Sequence, residues 1–359
     1  MKKLDIYIIK KFLGTFLFSL LIILLIAVIF DLSEKIDDFM ESHAPVRAVI
    51  FDYYFNFIPY FAVLFSSLFT FISVIFFTSK MAYNTEIIAI LSTGISFRRM
   101  LVPYFISAFI IASWAFVMTN YVIPPANKVR LAFEEVYIHN RPPRYSDRNI
   151  HKQVRPGIFI YMESYSNTSN IGYKFSMEKF EDGKLVSKMM ADYIRWDSTE
   201  NKWDARNYYI RDINGLDESI SSGRSIDTTL YIYPADFRRR LNVVETMNMK
   251  QLNAFIAQQK MQGADNVSEF EIEKYKRIAF PFSTFILTLI GVAVSSRKAK
   301  GGIGVHIGTG LALSFSYILF MQFSSQFSIS GAINPVLAVW IPNILYAIIA
   351  GFLYRLVPK

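Results

Sequence analysis

Hydrophobic and polar positions fall into two triplets of uncharged spans separated by a long polar insert. The spans are Phe12 to Phe30, Phe57 to Ser79, Leu101 to Ile123, Ile278 to Ser296, Ile303 to Ser330 and Ala332 to Tyr354, and none carries a Lys, Arg, Asp or Glu. Each is near or above the roughly 18 to 20 residues a helix needs to cross about 30 Å of hydrocarbon. The pattern predicts a polytopic α-helical membrane protein with six transmembrane helices in a 3+3 layout. Residues 1–123 hold spans one to three, residues 124–277 the insert, and residues 278–359 spans four to six.

Within the insert the period changes to two. GIFIYMESY, GYKFSMEKF, LVSKMMADYIRW, WDARNYYIRDI and TTLYIYP, between Gly157 and Phe237, alternate apolar or aromatic residues with polar ones, as half-buried antiparallel strands do. Asp182-Gly183 and Asn214-Gly215 suit tight hairpins, because both dipeptides tolerate positive φ. The expectation is a β-sandwich or open jelly roll of about 80 residues. Helical flanks are predicted over Ala126 to Asn140 and over Lys250 to Arg277, the second interrupted near Gly263.

Charge sets the orientation. Lys2, Lys3, Lys10 and Lys11 precede span one, while Asp31 to Asn56 holds Asp31, Glu34, Asp37, Asp38, Glu41 and Asp52 against Lys35 and Arg47. Lys80, Arg98 and Arg99 follow span two, Arg297, Lys298 and Lys300 follow span four, and Arg355 and Lys359 end the chain. By the positive-inside rule both termini are cytoplasmic and the insert lies outside. The first span lacks a small-residue cleavage pattern after it and reads as a retained anchor.

Composition agrees with a membrane protein: 53% of the 359 residues are hydrophobic, and 33 are Phe. The net charge of +9 is explained by topology, and no basic helix or aromatic-basic motif points to nucleic acid. Zero cysteines exclude disulfides, thiolate metal sites and a cysteine nucleophile. No phosphate loop, HExxH or GxSxG occurs, and His43, His139, His151 and His306 have no metal-ligand spacing. No catalytic residue, metal or cofactor is expected. The spans also lack the intramembrane charges of ion-coupled carriers, and Gln322, Gln326 and His306 read as interfacial or packing groups. A transporter of this kind must draw its energy from a partner.

The loop NTEIIAILSTGISFRR between spans two and three offers such a partner a handle. Asn84 or Thr85 can cap a short helix over about 84–94, Glu86 lies in its first turn, and Gly94 can end it in a left-handed conformation. Ile87, Ile90 and Leu91 form one apolar stripe, which a two-turn helix cannot leave in water. It is buried against the bilayer surface, against the ends of this chain's own spans, or in a groove of a cytosolic ATPase with Glu86 meeting a basic residue.

At this loop the sequence resembles the LptF/LptG (YjgP/YjgQ) permeases of the lipopolysaccharide export ABC transporter. Glu86, Ile87 to Leu91, Gly94-Ile95-Ser96, Arg98, Arg99 and Pro103 match the family's acid, apolar helix, turn, base and proline-containing span. Further matches follow in order: NYVIPPANKVR, YPADF, MNMKQLNAFI, EIEKYKRIAFPFSTFILTLIG, GGIGVHIGTGLALSFSYILF and NPVLAVWIPN.

The resemblance implies an inner-membrane half-transporter for outer membrane biogenesis. A second LptF/LptG-type permease would complete a cavity that takes lipopolysaccharide from the outer leaflet, and a dimer of an LptB-like ATPase would drive it. The periplasmic β-jellyroll-like domain would pass the lipid to LptC-like and LptA-like proteins. Glu86 would be the coupling acid, with spans one and five lining the gate. Lys35 and Arg47 are the nearest counterparts of the family's lipid-phosphate contacts. The acidic stretch FDLSEKIDDF around Lys35 also suits a divalent cation bridging to phosphate, or a solvated loop. The alternative is an envelope assembly or scaffold protein without transport activity.

Overall fold

The computed structural model describes residues 3–138, 146–166, 168–215, 217–228, 230, 232–234, 243–264, 267–296 and 302–357. The chain divides into two units, one helical (residues 1–138, 244–252 and 268–359) and one built on the β-insert (residues 139–243 and 253–267).

Among the described residues the helical unit contains six helices long and apolar enough to cross a membrane. These are α1 (Lys3–Glu41), α2 (Val46–Tyr83), α4 (Phe97–Tyr137), α6 (Val267–Ser295), α7 (Gly302–Ile329) and α8 (Pro335–Leu356), with the short α3 (Glu86–Ser92) between α2 and α4. A further helix, α5 (Met249–Met261), precedes α6.

The helices overrun the apolar spans. The acidic stretch after span one is not a loop, because α1 continues to Glu41 and α2 begins at Val46. Asp31 and Lys35 therefore sit one helical turn apart, while Phe39, on the same helix, is buried against Tyr53, Phe57 and Phe133. Span three likewise runs unbroken into its flanking helix, through Pro124 and Pro125. A π-helical segment at Met118–Val122 widens the turn ahead of these prolines, which cannot donate to an ordinary α-helical ladder. The second helical flank divides at Gly263 (φ +68°), and its latter part is continuous with span four in α6.

Packing centres on α2. Ile8, Phe12, Phe16, Leu20 and Leu24 form a single buried stripe on α1 and meet Val74, Phe77 and Met81 of α2 and Met100, Tyr104 and Ile111 of α4. The other side of α2 presents Phe71 and Ile75 to Leu287 and Ile290 of α6, Tyr317 of α7 and Tyr346 of α8. Gly291 makes this fit possible, since a Cβ there would lie 2.9 Å from Val74 Cγ1.

The β-insert is one six-stranded antiparallel sheet in the order β1 to β6: Ser146–Arg155, Ile158–Ser166, Ile171–Glu181, Lys184–Asp197, Lys202–Asn214 and Asp217–Thr228. Each strand pairs with the next, so among the described residues the jelly-roll-like unit is a meander. The four central strands coincide with predicted strands. Of the fifth predicted one, TTLYIYP, only Thr228 lies in a strand, as the last residue of β6, and its other described residues do not. Leu230 and Ile232 nonetheless enter the sheet's core, where Trp203 Nε1 donates to the Ile232 carbonyl at 2.9 Å. The edge strands β1 and β6 escape sequence detection because they are polar, and most of β6 is exposed. Their ladders hold them to β2 and β5 without an apolar alternation.

Hairpin geometry follows the turn residues. Asp182 and Gly183, at φ +49° and +76°, connect β3 to β4. The turn joining β5 to β6 is offset by one residue from Asn214-Gly215: Asn214 still pairs with Asp217, and Gly215 at φ +67° opens the loop.

Candidate functional site

The α3 loop is built by backbone geometry rather than by side-chain capping. Thr85 holds a left-handed φ of +61° and neither it nor Asn84 caps α3. Thr85 Oγ1 donates to the Asn84 carbonyl, and Asn84 Nδ2 donates to Glu86 Oε1 at 3.3 Å. A β-branched residue in this region is strained by about 1–3 kcal/mol. Gly94, at φ +83°, relieves the other end, and Ser96 caps α4 by accepting from the Arg99 amide.

Glu86 is half-buried and also accepts from the Tyr7 hydroxyl at 2.9 Å. It thus ties α3 to the start of α1 through the Tyr7 hydroxyl, takes a second neutral donor from Asn84 in the preceding turn, and keeps its charge uncancelled by any ion pair among the described residues. Nearby in sequence, Arg99 grips the buried Asp5 in a bidentate pair at 2.7 and 2.8 Å, so the same end of α1 is tied to α4.

Of the predicted stripe, Ile87 is 2% exposed in the core shared by α1, α2 and α4, and Ile90 and Leu91 pack partly against it. The stripe therefore serves this chain's own span ends. The apolar side chain that α3 turns outward is Ile88, 60% exposed, which the periodicity argument passed over because it lies off the stripe.

Lys35 and Arg47 are placed differently from each other. Lys35 Nζ pairs with Asp31 at 2.8 Å, donates to the Tyr53 hydroxyl and lies over that ring. Its charge is already engaged in a partly buried cluster. Arg47, near the start of α2, is exposed. Arg297, Lys298 and Lys300 lie outside the described residues, as do the side chain of His306 and residues 235–237 of YPADF. Gln322 and Gln326 are exposed on α7.

Sequence reasoning missed a buried ionic cluster. Arg277 of α6, 4% exposed, donates to the carbonyls of Met247 at 2.7 Å and Val244 at 2.8 Å, and to Glu273 at 3.2 Å. Arg130 of α4 lies 3.7 Å from Glu134 and 3.9 Å from Glu245, with its guanidinium over Tyr60. Asn127 adds a bond to Glu245 at 3.3 Å. The segment 244–247 is thereby clamped between α4 and α6. Burial, and then repulsion from Glu273, push the Glu245 carboxyl above its ordinary range, while Arg130 and Arg277 oppose the rise. The signal was present as two helical pairs at i, i+4, Arg130 with Glu134 and Glu273 with Arg277, each beside an apolar span.

No group of His, Asp or Glu that could hold a metal occurs among the described residues.

Six apolar spans interrupted after the third by an antiparallel sheet, with a small helix tied to the ends of α1, α2 and α4, define a multi-pass membrane protein with an inserted β-rich domain. Residues 6–356, nearly the whole chain, match the family described as lipopolysaccharide export system permease LptF/LptG. The chain belongs to that family, whose role is lipopolysaccharide export through the permease part of an ABC transporter. A comparison with individually curated proteins finds no match.

Proposed function

We propose that this chain is one permease half of an inner-membrane exporter that extracts lipopolysaccharide from the outer leaflet and hands it to a periplasmic bridge. The observation that carries the reading is an asymmetry of burial. Only 22% of the most apolar stretch of α1 is buried within the chain, and 22% of that of α7, against 33% for α8 and 61, 50 and 56% for α2, α4 and α6. Spans one and five thus keep apolar faces free for a second LptF/LptG-type permease and for the lipid between them. Extraction costs about 0.8 kcal/mol for each CH₂ leaving hydrocarbon, so a multi-chain lipid needs both an apolar cavity and outside energy.

That energy enters at α3. Glu86 and the exposed Ile88 form the surface offered to an LptB-like ATPase dimer, and Ile87, Ile90 and Leu91 transmit its motion to α1, α2 and α4. Residues 1–123 and 278–359 form the transport core, with both termini cytoplasmic. Residues 124–277, the periplasmic domain, deliver lipid to LptC-like and LptA-like partners. Arg47, exposed, is the better placed of the two candidates for meeting a lipid phosphate, because Lys35 is held by Asp31.

The test is co-purification of the full chain in detergent with its ATPase, comparing the parent with Glu86→Lys. A reversed charge is expected to reduce ATPase recovery severalfold while the second permease is retained. Unchanged recovery together with unchanged lipid-stimulated hydrolysis would remove Glu86 from the coupling surface.

A further inference from the structure

We propose that a groove between α4 and α6 binds an acyl chain of an anionic phospholipid whose phosphate rests on Arg98. This site is separate from the export path, and the inference requires only that the helices span a bilayer. The groove has a volume of about 540 Å³ and is lined by Leu101, Val102, Phe105, Ile106 and Phe109 of α4 and by Phe285 of α6, with Arg98 the one charged residue. Phe105 and Phe285 stack at 6.4 Å between ring centroids.

Position and charge decide the occupant. Arg98, Val102, Phe105 and Phe109 recur at four-, three- and four-residue steps, one face of the helix. At 1.5 Å per residue the stripe from Arg98 to Phe109 spans about 16 Å, the depth of one leaflet of a core about 30 Å thick. Val102 is 43% and Phe109 63% exposed, so the groove opens sideways to the bilayer. Arg98 is exposed and makes no ion pair among the described residues, in contrast to Arg99, which is committed to Asp5. A cation at the mouth of an apolar slot one leaflet deep matches a phosphate joined to an acyl chain. An arginine also reaches readily from its apolar stem to the headgroup level.

The experiment is native mass spectrometry of the full chain in mild detergent after exposure to vesicles of phosphatidylglycerol or phosphatidylethanolamine. One cation near the headgroups corresponds to about fivefold preference for the anionic lipid. The parent is expected to retain phosphatidylglycerol about fivefold better, and Arg98→Gln to bring the two lipids to parity. Val102→Trp, which fills the slot at a lipid-facing position, is expected to reduce retention of both lipids. Lys80→Gln, an exposed cation at the end of α2, is expected to leave the preference intact. An undiminished preference in Arg98→Gln would overturn the proposal. So would an equal loss in Lys80→Gln, which would mark diffuse charge attraction. The proposal also falls should Val102→Trp change the proportion of dimer while leaving lipid retention unaltered, since the groove would then be a protein contact.

Discussion

Replacing Arg277 with Met tests the ionic clamp at residues 244–247. The side chain is buried, and methionine keeps much of its length and apolar stem while removing every donor. Lost are two charge-assisted bonds, to the Val244 and Met247 carbonyls, and the contact with Glu273. Each such bond contributes about 1.5–3 kcal/mol. Breaking a buried pair by deleting one partner typically costs about 3–5 kcal/mol, because the remaining charge stays uncompensated; here the carboxylate left unpaired is Glu273, and its 34% exposure places its share below that range.

The loss is local to a segment held at both sides by α4 and α6. Hydrogen exchange of residues 244–252 in the full chain is therefore the direct assay. A cost of 3 kcal/mol corresponds to about a hundredfold faster exchange through local opening, at 1.36 kcal/mol per factor of ten. Lysine at 277 restores the charge but not the forked geometry, and should recover part of the protection.

The pH dependence has a definite sign. Glu245 has a raised pKa in the folded protein, so its neutral form suits the fold and stability from this group declines as pH rises through that pKa. Removing Arg277 takes away one of the two opposing cations and raises it further. The defect in Arg277→Met should be smallest at low pH, grow as pH rises through the raised Glu245 pKa and level off above it, once intrinsic exchange rates are corrected for. Protection within threefold of the parent at all pH values would refute the clamp.

Two further substitutions separate packing from contact. Ile87→Asp places a charge in the core and should abolish recovery of folded protein, whereas Ile88→Asp should shift stability by no more than about 0.5 kcal/mol and reduce recovery of the proposed ATPase; thermal unfolding in detergent and co-purification measure the two effects. In the β-insert, Trp203→Phe removes the N–H that satisfies the Ile232 carbonyl and should cost about 1–3 kcal/mol, read as faster hydrogen exchange along β5. Unchanged exchange would show that residues 230–232 are held by other contacts.

The central strands were legible because each buries one face. Ile160, Met162, Phe175, Met189, Ala191 and Ala205 lie in the sheet core, and their alternation is visible without coordinates. β6 was not legible, since Ser219, Ser221 and Ser222 pair with β5 through the backbone and carry no apolar period. TTLYIYP shows the converse: the same alternation can bury Leu230 and Ile232 without a ladder. The acidic stretch from Asp31 to Glu41 read as a loop because charge interrupts hydropathy, although helical hydrogen bonding is indifferent to whether the outward face meets lipid or water.

The sequence by itself determined the six spans, their 3+3 grouping, the β-rich insert and the family. These follow from transfer free energies and strand or helix periods, which are local properties of the chain. Only the tertiary structure decided which face of α3 is spent on its own spans, that Lys35 meets Tyr53 of α2 while Arg98 makes no ion pair among the described residues, and that Arg130, Glu245 and Arg277 converge from distant positions. Such outcomes depend on distances between helices, and a one-dimensional pattern of polarity carries no information about which buried charge finds which partner.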